Sequence, residues 1–370
     1  MKSRKILFVI PSLIRGGTQQ VLVQLVNSID KNRYDILLVL FENIVDYRKE
    51  LDPSINIVIL NKKSKLDIFK LVIKLRKIIH DYKPAVVMSL SHYANIVTAL
   101  PILSLKREFK FIVCEHGYPT KYLPDIGLAH LRKIMMRISY ARADIIVAVS
   151  NGIKEILEKT FDVKPGKITV IHNPISLEEI RDKCLEEIEH PYFENKNTNV
   201  IITAGRLTKE KRYDLLLKAF ALASKEKENI RLIILGKGKL QGKLEALASR
   251  LNIEKYVDFA GFQSNPFVWI SKANMFVLSS DHEGFPMVLL ESMACGTPVI
   301  STDCTSGPGE IITSGKNGIL VPTGDEEALA GAILDLVGND EKRNRLSEEA
   351  KKRVQEFEVG KIIKQYNELL

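Results

Sequence analysis

The sequence predicts an α/β protein made of two successive parallel-sheet units. Three observations carry this prediction. Apolar, β-branched runs of strand length recur along all 370 residues, helical spacing fills most of the intervals between them, and the alternation breaks only once, at 176–198, before it restarts. The length suits two domains, each large enough for its own core. Strands apolar throughout belong to parallel sheets covered by helices on both faces. Such sheets bind ligands at the carboxyl ends of their strands, so the residues that follow strands are where chemistry is expected.

In chain order, strands are expected at 5–10, 34–41, 55–60, 85–90, 109–114, 144–149 and 167–171, then at 199–204, 231–235, 257–260, 275–278, 298–301 and 318–321. The segment between the two sets, SLEEIRDKCLEEIEHPYFENKNT, is long, charged and without a clear strand. The expected division is a first domain over 1–176, a linker over 177–197, a second domain over 198–355 and a terminal helix over 356–370.

Composition excludes several classes. No apolar run approaches the roughly 20 residues that span a bilayer, and the basic start MKSRKILFVIP carries too short an apolar segment for a signal peptide. Cys114, Cys184, Cys295 and Cys304 form no CxxC pair, which fits reduced thiols in a cytosol. The formal net charge of +9 is concentrated: 61–137 holds fifteen Lys and Arg against five Asp and Glu, a net of +10, so the remainder sums to −1. A local basic excess implies an anionic partner. Within it, 65–83 and 123–142 interleave cations with apolar residues, among them Leu66, Phe69, Ile73, Met135 and Met136. Two readings fit: amphipathic helices on the sheet with solvated lysines, or a peripheral face for anionic lipid. Nucleic acid is not expected, since no aromatic or Gly-rich pattern interleaves the cations.

The most informative stretch is 276–303, FVLSSDHEGFPMVLLESMACGTPVISTD. It reads strand, glycine-bearing loop, helix, strand. Pro286 stands where a helix begins, and Gly296 with Pro298 stops it. A helix N-terminus has unpaired N–H groups and a positive dipole end, which suits a phosphate. Glu283 and Glu291 bracket the junction. Glu291 lies in an otherwise apolar run, so a buried helix and a carboxylate needing donors are expected. Sugar hydroxyls would serve both acids; a core helix with one cap and one salt bridge would serve as well.

Other strand ends carry comparable features. After 5–10 comes the turn Gly16-Gly17 and a helix from Thr18; after 109–114 come Glu115, His116 and Gly117. After 199–204 come Gly205, Arg206 and, five residues on, Lys211; two fixed cations there could neutralise a diphosphate without a metal, or form a solvated cluster with Lys209 and Arg212. Gly236 follows the next strand, with a GxGxxxG spacing that fails the dinucleotide fingerprint, and Phe262 follows the one after.

Two glutamates separated by seven residues, opened by EGFP and continued by ESMACGTPVI, resemble the signature of retaining glycosyltransferases of family 4, which have the GT-B fold. The resemblance covers nearly the whole chain. It implies two Rossmann-like domains facing a central cleft, with the last helix crossing back to the first domain. It implies that Arg206 and Lys211 bind the donor diphosphate, that Gly205, Gly236 and the amides of Gly284, Phe285 and Met287 beside Pro286 surround it, and that Phe262 meets the base. Glu283 then accepts from sugar hydroxyls and Glu291 from the ribose diol. His116 would donate to the transferred sugar, and Gly16 and Gly17 would let the backbone approach. The family commonly follows the two glycines and a small residue with Glu-Arg; here Gln19 and Gln20 stand instead, so the glycines match and the acid of the family pattern does not.

With IHNPI and SGPGEI, the chain looks like the branch that builds bacterial surface glycans from UDP-hexoses and UDP-N-acetylhexosamines. The resemblance implies front-face transfer to a glycan or polyprenyl-linked acceptor, at the cytoplasmic face of the membrane, with the departing phosphate taking the acceptor's proton. No cofactor or metal is expected: the sequence has no DxD motif and no His/Cys cluster of ligand spacing. The rivals are a GT-B epimerase, which needs acids in the sugar pocket, a glycogen-synthase or phosphorylase type, and a non-catalytic UDP-sugar-binding protein.

Overall fold

The computed structural model describes residues 3–64, 67–122, 129–195 and 197–370. Lys65 and Leu66 of the first basic segment and 123–128 of the second lie outside the described residues. The chain forms two compact units, Met1–Pro174 with Val359–Leu370, and Ile175–Glu358.

Unit 1 runs β1 (Arg4–Ile10), α1 (Gly17–Ser28), β2 (Tyr34–Leu40), β3 (Asn56–Ile59), α2 (Ile68–Tyr82), β4 (Val86–Leu90), α3 (His92–Ile102), β5 (Lys110–Glu115), α4 (Ala129–Arg142), β6 (Ile145–Ala148), α5 (Asn151–Phe161) and β7 (Ile168–Val170). Unit 2 runs α6 (Leu177–Cys184), α7 (Pro191–Glu194), β8 (Asn199–Ala204), α8 (Tyr213–Glu226), β9 (Ile230–Leu235), α9 (Gln241–Arg250), β10 (Val257–Gly261), α10 (Pro266–Lys272), β11 (Met275–Leu278), α11 (Met287–Ala294), β12 (Val299–Thr302), α12 (Pro308–Ile311), β13 (Ile319–Val321), α13 (Glu326–Leu336) and α14 (Asp340–Val354). The last helix, α15 (Val359–Asn367), returns to unit 1.

Both sheets are wholly parallel. Their orders are β3-β2-β1-β4-β5-β6-β7 and β10-β9-β8-β11-β12-β13. Each order reverses direction once, between β1 and β4 and between β8 and β11, and a doubly wound sheet opens a crevice at such a point. The strands are buried on both faces: Ile6 to Ile10 are 0% exposed, and Ile201 and Ile202 likewise. Right-handed crossovers place the helices of the two halves of a sheet on opposite faces. In unit 1 that sets α2, α3 and α4 on one face, where α3 packs against both of the others.

The segment expected as a linker, 177–197, belongs to unit 2, because α6 packs on α10 and α11. In unit 1 the chain end is anchored: Ile362, Ile363, Tyr366 and Leu370 join its core, Arg4 donates to the Leu370 carbonyl at 2.6 Å, and Lys110 donates to that of Leu369 at 2.9 Å.

The two basic helices are only partly packed. On α2, Leu71, Leu75 and Ile79 face the core at helical spacing, while Phe69 and Ile73 are 76% and 69% exposed. On α4, Met136 and Tyr140 are buried, while Leu131 and Ile134 are exposed among Arg132, Lys133 and Arg137. Among the described residues, no helix is long and apolar enough to cross a membrane.

Candidate active site

In unit 2, the loops after β8 and β11 meet beside the sheet's reversal. Gly205 has φ +155 and Gly236 φ +131; a side chain at Gly236 would place its Cβ 1.9 Å from the Gly205 carbonyl oxygen. Glycine at 236 is therefore what lets the β8 and β9 turns touch. The chain then leaves Gly205 with Arg206 exposed, and no described residue pairs with its guanidinium.

The cations of this loop divide sharply. Arg212, a non-glycine at φ +47, is held there by Asp214 and by both carboxylate oxygens of Asp281, at 2.9 and 3.1 Å. Lys209 is exposed. Lys211 turns inward, its Nζ donating to Glu283 Oε1 at 2.6 Å, with both side chains largely covered. The pattern is not a solvated cluster: one arginine is structural, one lysine is tied to the predicted sugar-facing acid, and one arginine is left open.

The Glu283 loop is braced from behind. Ser280 Oγ donates to Glu283 Oε1 at 2.7 Å, and Ser306 Oγ donates to the carbonyls of Glu283 and Gly284 at 2.6 and 3.1 Å. Ser279 Oγ donates to the Lys211 carbonyl at 2.8 Å, which ties the β11 loop to the β8 loop. Gly307, at φ +90, lies against Pro286 and the Gly284 carbonyl. Neither serine contact was legible in advance: Ser280 sits in an unremarkable polar run, and Ser306 comes from a loop 23 residues on.

Pro286 precedes α11 and offers it no side-chain cap, and the Leu289 amide donates to the Pro286 carbonyl at 3.1 Å, which leaves the Met287 and Val288 amides for an anion. Phe285 and Met287 are buried and hold the turn in place. Glu291 differs from expectation: it is half-buried, not sealed in a core, because α11 presents Val288 and Glu291 on a less covered side while Leu289, Leu290 and Met293 face inward. Phe262, beyond Gly261 at φ +71, is 53% exposed, which removes ordinary core packing as its role.

In unit 1, the predicted residues fall at the ends of β1 and β5. Gly16 and Gly17 open α1, where a Cβ on Gly16 would meet the Gln19 side chain at 2.9 Å. His116 Nδ1 lies 3.2 Å from Asn173 Oδ1. Burial pushes its pKa down to about 4, so the ring is neutral at pH 7. Nε2 is buried without a partner among the described residues. With the Nδ1 proton donated to Asn173, Nε2 is an acceptor; with the other tautomer it is a donor, and a sugar hydroxyl can meet either.

Beside it, Glu115 is 1% exposed. Its Oε1 accepts from Asn95 Nδ2 at 2.7 Å and from Tyr140 OH at 3.1 Å, while Oε2 has no partner among the described residues. Burial raises its pKa to about 7. Next along, at the end of β4, Ser91 adopts φ +89 with its hydroxyl buried and unpartnered among the described residues. A strained backbone beside orphaned polar atoms is a recurring mark of binding sites.

Comparison with known proteins now bears on this geometry. The model of glycosyltransferase family 4 matches residues 15–179, and that of glycosyl transferases group 1 matches 186–353. An uncharacterized glycosyltransferase of Methanocaldococcus jannaschii is 30% identical, over 87% of this chain and 89% of its own. The chain belongs to glycosyltransferase family 4. The transferase is also similar, at 28% identity over 95% of each chain, to the N-acetylgalactosamine-N,N'-diacetylbacillosaminyl-diphospho-undecaprenol 4-alpha-N-acetylgalactosaminyltransferase of Campylobacter jejuni. Its fold matches that of Anabaena HepE in complex with UDP-glucose, with a TM-score of 0.83, 20% identity, and coverage of 99% of this chain and 98% of the other. The GT-B class expected from the sequence is the class observed: two parallel-sheet Rossmann-like units, of seven and six strands. No group of three or more His, Cys, Asp or Glu side chains among the described residues of the transferase could hold a metal ion.

Proposed function

We propose that this transferase moves a hexose or N-acetylhexosamine from a UDP-sugar to a glycan or lipid-linked acceptor of surface polysaccharide synthesis, with retention at the anomeric carbon. The observation that carries the reading is the arrangement at the β8/β11 reversal. An exposed arginine and a lysine bound to a carboxylate stand in the loop after β8, and that loop is tied to the loop that leads into α11, whose N-terminus has no side-chain cap.

A departing diphosphate gains negative charge in the transition state. Preorganised cations and amides stabilise that charge more than they stabilise the ground state. Arg206 supplies a planar fork for phosphate oxygens, and Lys211 supplies a point charge already oriented by Glu283. These two take the part that a divalent metal would otherwise play. Glu283, fixed by Ser280 and Lys211 through Oε1, keeps Oε2 for a sugar hydroxyl. Glu291 is assigned to the ribose diol and Phe262 to the base. In unit 1, Gly16 and Gly17 keep the role implied by resemblance, and Nε2 of His116 meets a sugar hydroxyl.

The UDP-glucose bound by HepE and the undecaprenyl diphosphate acceptor of the Campylobacter enzyme support this donor and this acceptor class. Exposed Phe69, Ile73, Leu131 and Ile134 among cations support a peripheral seat on anionic lipid, where such an acceptor lies. The test is a panel of UDP-sugars screened by thermal protection, followed by transfer to an undecaprenyl diphosphate glycan. An α-linked product from an α-linked donor, read by NMR, is expected. UDP-sugar binding with no transfer, or epimerised donor with no acceptor used, would overturn the reading.

A further inference from the structure

Two cysteines far apart in the sequence meet beside the donor helix. Cys184, the last residue of α6, and Cys295, the C-cap of α11, share a hydrogen bond with their sulfurs 3.3 Å apart. Both thiols also lie 3.7 Å from the Phe267 carbonyl oxygen. Both residues are partly buried, Cys184 the less enclosed of the two, whereas Cys114 and Cys304 are buried. The Cys295 amide donates to the Glu291 carbonyl at 3.0 Å, so the pair lies one helical turn beyond Glu291. Residues four apart share a helix face, and the Glu291 charge is among the causes that raise the Cys295 thiol.

We propose that Cys184 and Cys295 form a redox site, a dithiol that a small-molecule disulfide closes to a bond between α6 and α11, weakening donor binding at Glu291. The last step rests on the assignment of Glu291 to the donor ribose.

The chemistry balances. The Cys184 thiolate attacks one sulfur of the small disulfide, forming a mixed disulfide and expelling one thiolate. Cys295 then loses its proton and attacks Cys184 Sγ, expelling the second. Two cysteine thiols are oxidised, one small disulfide is reduced to two thiols, and the protons of the cysteines pass to the leaving thiolates. The order follows from the environment. Hydrogen bonding from Cys295 lowers the Cys184 thiol, while the same contact and burial raise Cys295, so Cys184 ionises first. Closure brings the sulfurs to about 2.0 Å, which draws the end of α11 toward α6.

The experiment treats the full-length protein with glutathione disulfide, then reads intact mass, peptide maps and UDP affinity by calorimetry before and after reduction. The expected result is a loss of about 2 Da, a single cross-linked peptide pair holding Cys184 and Cys295, and at least a threefold weaker UDP affinity that dithiothreitol restores. Cys184→Ser should bind UDP as the untreated protein does and lose the response to oxidant. Persistent glutathione adducts without a cross-link, a cross-link through other cysteines, or cross-linked protein that binds UDP as tightly as the reduced form would overturn the proposal. Reduced protein that binds no UDP, yet still forms the cross-link, would instead overturn the donor-site assignment and leave the redox pair standing.

Discussion

Lys211 Nζ and Glu283 Oε1 lie 2.6 Å apart, and the same oxygen accepts from the Ser280 hydroxyl. The pair orients an ammonium toward the open β8 turn and leaves the second carboxylate oxygen for another donor. Its two members are 19% and 12% exposed, so each depends on the other for its charge to be tolerated. Glu283→Gln keeps the shape and an acceptor oxygen for Ser280 and Lys211 while removing the negative charge. Turnover should fall about a hundredfold or more, with UDP affinity equal to or tighter than wild type, because a carboxylate beside the phosphates is gone. Steady-state kinetics with calorimetry on one preparation would decide it. A weakened UDP affinity would instead show that the Glu283 charge is needed to hold Lys211 at the diphosphate.

Arg206 presents the opposite case, an exposed cation with no partner among the described residues. Its removal should leave folding stability within about 0.5 kcal/mol, as for a surface substitution. Turnover of Arg206→Ala should nonetheless drop about a hundredfold or more. Unchanged turnover would strip Arg206 of its role, and a large loss of stability would make it a structural residue.

Much of this architecture can be read from the residues alone. Every strand lies within one residue of its expected ends, because strands buried on both faces leave continuous apolar runs, and Gly205, Pro286 and Gly296 punctuate them where the backbone demands it. Contacts made by folding could not be read in this way. The partnership of Lys211 with Glu283 spans 72 residues, and that of Cys184 with Cys295 spans 111. The half-open setting of Glu291 was missed because apolar composition does not say which side of a short helix faces a neighbour. The contact of His116 with Asn173 spans 57 residues.

Glu115 gives a pH signature. Burial raises its carboxyl from the ordinary 4.5 to about 7, so the folded state holds its proton more tightly than the unfolded chain. Its contribution to stability is complete below about pH 4.5 and is lost as pH rises toward 7, a change on the order of 3 kcal/mol. Glu115→Gln removes that dependence while keeping an acceptor for Asn95 and Tyr140. The variant should match wild type in urea denaturation near pH 4 and exceed it near pH 8. Parallel stability curves for the two proteins across that range would contradict the buried, protonated acid.

The apolar side chains left open on α2 predict a lipid contact. Wild type should bind vesicles containing anionic lipid, and less so at high salt, since surface charge is screened within about 10 Å at 0.1 M. Replacing both Phe69 and Ile73 with Asp should abolish that binding and leave turnover on a water-soluble acceptor unaltered. Equal vesicle binding by the two proteins would assign these helices to ordinary solvent exposure.

The most direct test of the central claim is a crystal structure of the protein with UDP. The account predicts the β-phosphate within about 3 Å of both Arg206 and Lys211, at the N-terminus of α11, with the ribose hydroxyls on Glu291. UDP bound away from these groups, or phosphates held by other side chains, would contradict it.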